Sequence, residues 1–194
     1  MSATMPPSRP QMTREQVEKI LRARGIDPSK KVAVLAVRGY YDSVAGPGNQ
    51  RGIWDDALFI VSPARSSGKR YFGAFNGNTD PSVARKGIAV LKPGIWHYKP
   101  GKHKILSPEG YKAFVQARMV TVIRDGTGPH TGYFGINIHR GGNGTSSLGC
   151  QTIPPVQWEE FRSALYTLLA EFKQSEFPYL LITEAERRTA LGLQ

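Results

Sequence analysis

One of four histidines and the only cysteine of this 194-residue chain stand close together in "GINIHRGGNGTSSLGCQTIP", residues 135–154. His139 and Cys150 are separated by ten residues, four of them glycine. These two residue types can form a nucleophile and its base. The thiolate is the attacking form of cysteine, and a nearby imidazole lowers the thiol pKa from about 8.5. The imidazole takes the thiol proton and later gives it to a leaving amine. Glycines at 141, 142, 144 and 149 permit the tight turns that would bring the ends together. Gly149, directly before Cys150, lets backbone N–H groups at Ser147, Leu148 and Gly149 point into the site as an oxyanion hole. The competing reading is a loop with a buried cysteine, since lone cysteines mostly serve as small hydrophobes.

The elements that must position this pair are mostly strands. From about residue 31 to 150, short β-branched and aromatic runs follow one another: "KVAVLAVRGYY", "DDALFIVSP", "KRYFGAFNG", "GIAVLKPGIWHY", "YKAFVQARMVTVIRD" and "TGYFGINIH". Most are bounded by Gly, Pro, Asn or Asp. No long helix intervenes, so the pattern predicts a mainly β (α+β) fold, a sandwich or barrel. His139 falls at the end of the last run. "GCQTI" begins the next strand, and if the two strands neighbour each other the side chains at the loop's ends can meet.

Helices flank this β region. Thr13-Arg14-Glu15-Gln16 reads as a capping box, with Met12 and Val17 at the positions of a hydrophobic staple. Gly25 takes the terminal glycine position, giving a helix over 13–24. "PPVQWEEFRSALYTLLAEFKQ" puts Trp158, Phe161, Leu165, Leu168, Leu169 and Phe172 on one helical face behind two prolines. "FPYLLIT" reads as a further strand and "EAERRTALG" as a short terminal helix. Residues 1–12 are expected to be disordered or loosely attached. The rest, 13–194, reads as one domain with its core over about 30–185.

Composition narrows the partners. Net charge is +11 with a pI near 10, and the basic residues are spread without a run of five. That suits general attraction to a polyanion such as nucleic acid, an anionic membrane surface or an acidic wall polymer. No helix-turn-helix, zinc-finger or RNA-binding signature is present, so no nucleic-acid partner is expected. No apolar run approaches the roughly 18–20 residues of a membrane span. "MSATMPPSRPQMTREQ" has no apolar h-region, so no secretory signal peptide is expected. One cysteine makes neither an internal disulfide nor a Cys-based zinc site, and the histidine spacing shows no metal pattern. Neither a metal nor another cofactor is expected.

Several other residues are read mainly as structural. His103, in a Lys-rich stretch, reads as a surface residue, and Asp80 before Pro81 as a turn residue. Trp54, Trp96 and Trp158 read as core. "GGNG" lacks the Lys-Ser/Thr of a phosphate loop. In "GIWHYKP", His97 alternates with Trp96 and Tyr98 and faces either solvent or the site.

Ser147-Leu148-Gly149-Cys150, preceded by a strand ending in His139, resembles the catalytic motif of the L,D-transpeptidase catalytic domain. "LKPGIWHY" is similar to that family's Pro-x-Gly-x-aromatic strand. "TDP" at 79–81 and "VTVIRD" at 120–125 also look like stretches of phage cell-wall proteins with this core. The resemblance runs in patches from about 75 to 155. It implies that Cys150 is a nucleophile forming a thioester with a peptidoglycan stem peptide. His139 would be its base, oriented by a backbone carbonyl, with Ser147 and Gly149 as shaping residues. Arg140, His97, Trp96 and Tyr98 become candidates for substrate binding. Leu148 stands where the family motif has histidine, and Thr152 where it has a polar or arginine residue. The His-to-Cys loop is shorter than usual, which favours access of water and hence hydrolysis. The expected activity is a peptidoglycan L,D-carboxypeptidase or endopeptidase, reached by phage lysis or by injection as an antibacterial effector. An L,D-transpeptidase and a non-catalytic wall-binding phage module are the alternatives.

Overall fold

The computed structural model describes residues 4–42, 49–104 and 106–193. Its first helix, α1 (Arg14–Ala23), starts at the capping box seen in the sequence. Gln16 N–H donates to the Thr13 hydroxyl, and the Gln16 side chain accepts from Thr13 N–H. Val17, Ile20 and Leu21 are buried, so α1 lies on the protein instead of extending from it. Residues 4–12 do not hang free either. Pro6, Pro10 and Met12 are buried, and Arg9 pairs with Glu160 and stacks on Phe75.

The strands form two sheets. The larger is built from β1 (Ala33–Arg38), β2 (Asp56–Ala64), β3 (Arg70–Gly77), β5 (Gly94–His103), β6 (Tyr111–Gln116), β9 (Ile138–Arg140), β10 (Gln151–Ile153) and β11 (Phe177–Thr183). Their order is β10-β9-β6-β5-β11-β1-β2-β3. The smaller sheet contains β4 (Ala89–Leu91), β7 (Val120–Arg124) and β8 (Gly128–Gly132). The larger sheet curls almost into a barrel. Asn78, just after β3, bridges Thr152 of β10 through two backbone hydrogen bonds of 2.9 and 2.8 Å. Among the described residues the protein is therefore mainly β, with a nearly closed eight-stranded sheet and three helices.

The middle strands are continuous hydrophobic runs because both of their faces are covered. Val34 and Ala36 of β1 join one core with Phe114, Phe161 and Leu165. Ala33, Leu35 and Val37 join a second core with Val17, Ile20 and Leu21 of α1. The first core is completed by α2 (Pro155–Glu171), whose Trp158, Phe161, Leu165, Leu168 and Leu169 are buried as their spacing predicts. Trp54 is buried as well. The last helix, α3 (Glu184–Leu191), has a second capping box between Thr183 and Glu186.

Two expectations are corrected. "TGYFGINIH" is not one strand: β8 ends at Gly132, and pairing resumes only at Ile138. Gly135 takes φ +70°, and the Gln116 side chain accepts the Phe134 and Ile136 N–H groups in place of a neighbouring strand. Asp80 is no simple turn residue. It is buried beside Asp55 and Asp56 and forms an ion pair with Arg38 at 3.0 Å. Asp56 is wholly buried, accepting from the backbone N–H groups of Gly39 and Thr79. Burial, reinforced by the charges of Asp55 and Asp80, pushes Asp56 up to about 8. Burial likewise pushes Asp55 up to about 6.

Candidate functional site

Strands β9 and β10 are parallel neighbours, with Thr152 opposite His139 and Gln151 opposite Ile138. The ladder extends one step further, since Gln151 N–H donates to the Asn137 carbonyl at 2.8 Å. Cys150 therefore stands across from Asn137, two positions from His139 along the strand. At 4.8 Å between strands and 3.3 Å per residue, their Cα atoms are roughly 8 Å apart. The sequence anticipates strand neighbours; it does not reveal that they run parallel. The connection must travel the full length back before β10 can begin.

That connection is pinned. Ser82 N–H donates to the Ser147 carbonyl, and Ser147 N–H donates to the Ser82 hydroxyl, both at 2.7 Å. The Ser82 and Thr145 hydroxyls lie 2.6 Å apart. Gly141 leaves no room for a side chain, because an added Cβ would come within 2.2 Å of the Trp54 ring. Gly149 has φ +133°, and a Cβ there would meet the Ala89 carbonyl oxygen at 2.5 Å. Gly149→Ala is expected to destabilise the protein by about 2–4 kcal/mol, from backbone strain plus overpacking. At this size that lowers Tm by roughly 5–15 °C, measurable by thermal denaturation. An unchanged Tm would show that β4 yields easily.

The thiol is half-buried. Asn137 N–H donates to Cys150 Sγ at 3.4 Å, and Sγ lies 3.3 Å from the Gly135 carbonyl, to which it donates. No hydrogen bond joins Sγ to His139 among the described residues. Burial pushes the thiol pKa up, opposed by the Asn137 N–H. The expectation of a lowered thiol pKa is thus reversed, because desolvation disfavours the thiolate and no cation among the described residues offsets it.

His139 is nearly fully buried, 4 % exposed. Its Nδ1 lies 2.7 Å from the Arg140 carbonyl oxygen. A carbonyl only accepts, so Nδ1 carries the proton and Nε2 is left as the basic nitrogen. Burial, followed by the nearby charge of His103, pushes His139 down to about 4. The imidazole and the thiol are therefore both neutral at pH 7.

Three residues passed over in the sequence support this pair. His103 is at the end of β5 instead of in a surface loop, and its ring stacks on His139 at 3.8 Å with 16° between planes. Asn137 Nδ2 lies 3.3 Å from His103 Nδ1, so one residue touches both the second imidazole and the thiol. Tyr111, the partner of His103 across β5 and β6, donates its hydroxyl to the Arg140 carbonyl at 3.2 Å. The available signal was the hairpin itself: His103 and Tyr111 flank a turn rich in Ser, Pro and Gly.

The other candidates separate. Arg140 is exposed, lies over the Tyr111 ring at 5.7 Å, and lines a cleft of about 230 Å³ with His103, Lys104, Tyr111 and His139. A larger cleft of about 510 Å³ adjoins it, sharing Tyr111 and Arg140. Leu148 is 62 % exposed. Gly149 N–H, expected in the oxyanion hole, instead donates to the Ser147 hydroxyl at 3.0 Å, and the Ser147 N–H is held by Ser82. Ser147 also donates to the Cys150 carbonyl at 2.6 Å, so it shapes the turn. The Cys150 N–H has no acceptor among the described residues. Tyr98 is wholly buried against Phe177 and Tyr179, presenting no surface to a ligand. Trp96 donates its indole N–H to the Lys92 carbonyl and lies seven residues along β5 from His103. His97 lines a different cleft, with Lys30, Lys31 and Arg118. These three do not join the His139–Cys150 pair.

Among the described residues, no group of three or more His, Cys, Asp or Glu side chains is arranged to hold a metal ion. No described helix is long and apolar enough to cross a membrane. Comparison with family models, curated proteins and solved structures gives no match for this chain.

Proposed function

We propose that the protein is a cysteine hydrolase of peptidoglycan stem peptides, an L,D-carboxypeptidase or endopeptidase. The observation that carries this reading is His139: a buried imidazole whose Nδ1 is fixed on the Arg140 carbonyl, leaving Nε2 basic beside the strand that carries Cys150. The orientation of a histidine base by a backbone carbonyl is what the resemblance to L,D-transpeptidases implies. The +11 charge suits an anionic wall.

The steps follow from the neutral resting pair. The thiol leaves the Gly135 carbonyl and turns toward Nε2. Sγ attacks the scissile carbonyl carbon as its proton passes to Nε2. The oxyanion that develops is met by the Cys150 N–H, which like the Leu148 N–H has no acceptor among the described residues. The C–N bond breaks, the amine takes the proton from Nε2, and a thioester remains. Water attacks that thioester, giving a proton to Nε2. The C–S bond breaks, and Sγ regains its proton. Arg140, exposed at the rim, presents a guanidinium to a carboxylate of the stem peptide. Leu148 offers no polar group to hold an acceptor amine, which favours water over transpeptidation.

The test uses bacterial sacculi incubated with the protein and with Cys150→Ala, followed by mass spectrometry of released muropeptides. Loss of a terminal residue or a cross-link, absent with Cys150→Ala, is expected. New 3-3 cross-links or exchanged D-amino acids would replace hydrolysis with transpeptidation. Unchanged muropeptides, with the protein still pelleting with sacculi, would make it a wall-binding module.

A further inference from the structure

The His139 cleft is one end of a longer series. Lys104 is shared between it and a groove of about 760 Å³, lined by Lys99, Lys102, Leu106, Val115 and Asn137 among others. That groove meets a shallower one at Pro100, which in turn shares Lys173, Gln174 and Ser175 with the cleft around His97. The series runs beside β5. His103 lies six positions along β5 from His97, about 20 Å of extended strand.

The far cleft, about 420 Å³, is basic and well fixed. Lys30, Lys31, Arg118 and Lys173 line it; Glu176 at its wall pairs with Arg118, and Lys30 pairs with Asp27 at 3.7 Å, leaving Lys31 and Lys173 without a carboxylate partner among the described residues. The loop carrying Lys173 is tied to the start of β1: the Gln174 side chain accepts from Val32 N–H and donates to the Val32 carbonyl, both at 2.9 Å. His97 lies among these cations. Burial lowers its pKa, and the charges of Arg118 and Lys31 lower it further. The cluster therefore gains no charge from His97 at neutral pH, and its positive field comes from the permanent cations.

We propose that the His97 cleft is a second binding site, for a linear cell-wall polymer with repeating anionic groups, held about 20 Å along β5 from His103. Three of its four cations are lysines, compact charges on flexible stems. They suit repeating charge without fixed spacing better than bidentate recognition of one group. Lys99, Lys102 and Lys104 continue the positive line toward His139, so a polymer held at His97 is led along β5 to the nucleophile. This rests on the reading of the wall as substrate, but its own readout is binding.

The experiment compares the full chain with a K30E/K31E/K173E variant. A second variant, K19E/K69E/K86E, makes the same charge change at exposed lysines elsewhere. Pelleting with sacculi is measured from 50 to 300 mM NaCl, alongside turnover of a small soluble muropeptide. The cleft variant is expected to bind sacculi about tenfold more weakly, with a flatter salt dependence, and to turn over the soluble muropeptide normally. Sacculi stripped of phosphodiester polymer distinguish the anionic source: lost binding assigns it to that polymer, and retained binding assigns it to the carboxylates of peptidoglycan. Unchanged pelleting, or equal loss in both variants, would overturn the proposal. So would a loss of duplex-DNA binding with sacculus binding intact. If the protein turns over nothing yet the cleft variant alone releases sacculi, the second site stands and the enzymatic reading fails.

Discussion

His139→Ala is expected to slow acylation of Cys150 by a factor of about 10²–10⁴, the usual contribution of a positioned base. The readout is single-turnover formation of the thioester, followed by mass spectrometry. The thiol is held up by burial, so it cannot rely on a standing thiolate and needs a proton acceptor at the moment of attack. A variant that acylates at the parent rate would show that water or another group takes the proton. The pH profile carries a second arm. A base works only above its pKa, and His139 is held near 4, so the acid limb of the parent protein should fall between about pH 4 and 5. His103, Lys104, Tyr111, Arg140 and Cys150 are the titratable or charged groups around it. Of these, His103 covers its ring and adds positive charge. His103→Ala removes both effects. The His139 pKa should then rise toward 6.5, and the acid limb should move to higher pH with it. A merely structural role for His103 would lower the whole profile without moving that limb.

One group is expected to lower stability as pH rises from about 6.5 to 8, by on the order of 1 kcal/mol per pH unit and less toward pH 8. Asp56 is the cause. Its pKa in the folded protein is raised to about 8, against about 3.9 in an unfolded chain. Across that interval the folded protein holds a proton that the unfolded chain has lost, so raising the pH favours unfolding. Below 6.5 the slope is mixed. Asp55 acts in the same direction as Asp56, whereas His139, with its lowered pKa, becomes more favourable as pH increases. His97, His103 and His139, all held below their usual pKa, oppose this fall near pH 6.5, so the difference between the parent and Asp56→Asn isolates Asp56. Denaturant unfolding at pH 6.5, 7.25 and 8 tests it, with Asp56→Asn as the comparison. The parent curve minus the variant curve should fall with pH, and a difference that is flat or rises across the window would refute the buried, protonated carboxyl.

Much of the fold was legible because its signals are local. Thr13 and Gln16 sit three residues apart, and so do Thr183 and Glu186, the spacing a capping box needs. The stripe on α2 repeats at helical period. The two-sided burial of β1 shows as an unbroken apolar run. His139 and Cys150 stood out for similar reasons: a residue type that reacts, a partner nearby and glycines between. What escaped reading depends on distant parts of the chain. His103 reaches His139 across 36 residues of sequence, through a hairpin whose register no spacing reveals. Ser82 pins Ser147 from 65 residues away. Asp80 looked like a turn residue because Pro81 follows it, and only its approach to Arg38 shows it to be buried. The interruption at Gly135 was hidden by the alternation of "GYFGINIH", which persists although the backbone leaves the ladder there.

The Asn78–Thr152 bridge has a bearing on how the site could be exposed. It is the seam along which the curled sheet meets itself, two hydrogen bonds long, and the three-residue strand after Cys150 forms one lip of it. Short, weakly secured edges lie at the low end of a protein's local unfolding energies. The lip can part while the remaining staves keep their pairing. Faster amide exchange at Asn78 and Thr152 than within β1 would then report a breathing motion local to Cys150. Such a parting would widen the approach to the half-buried thiol.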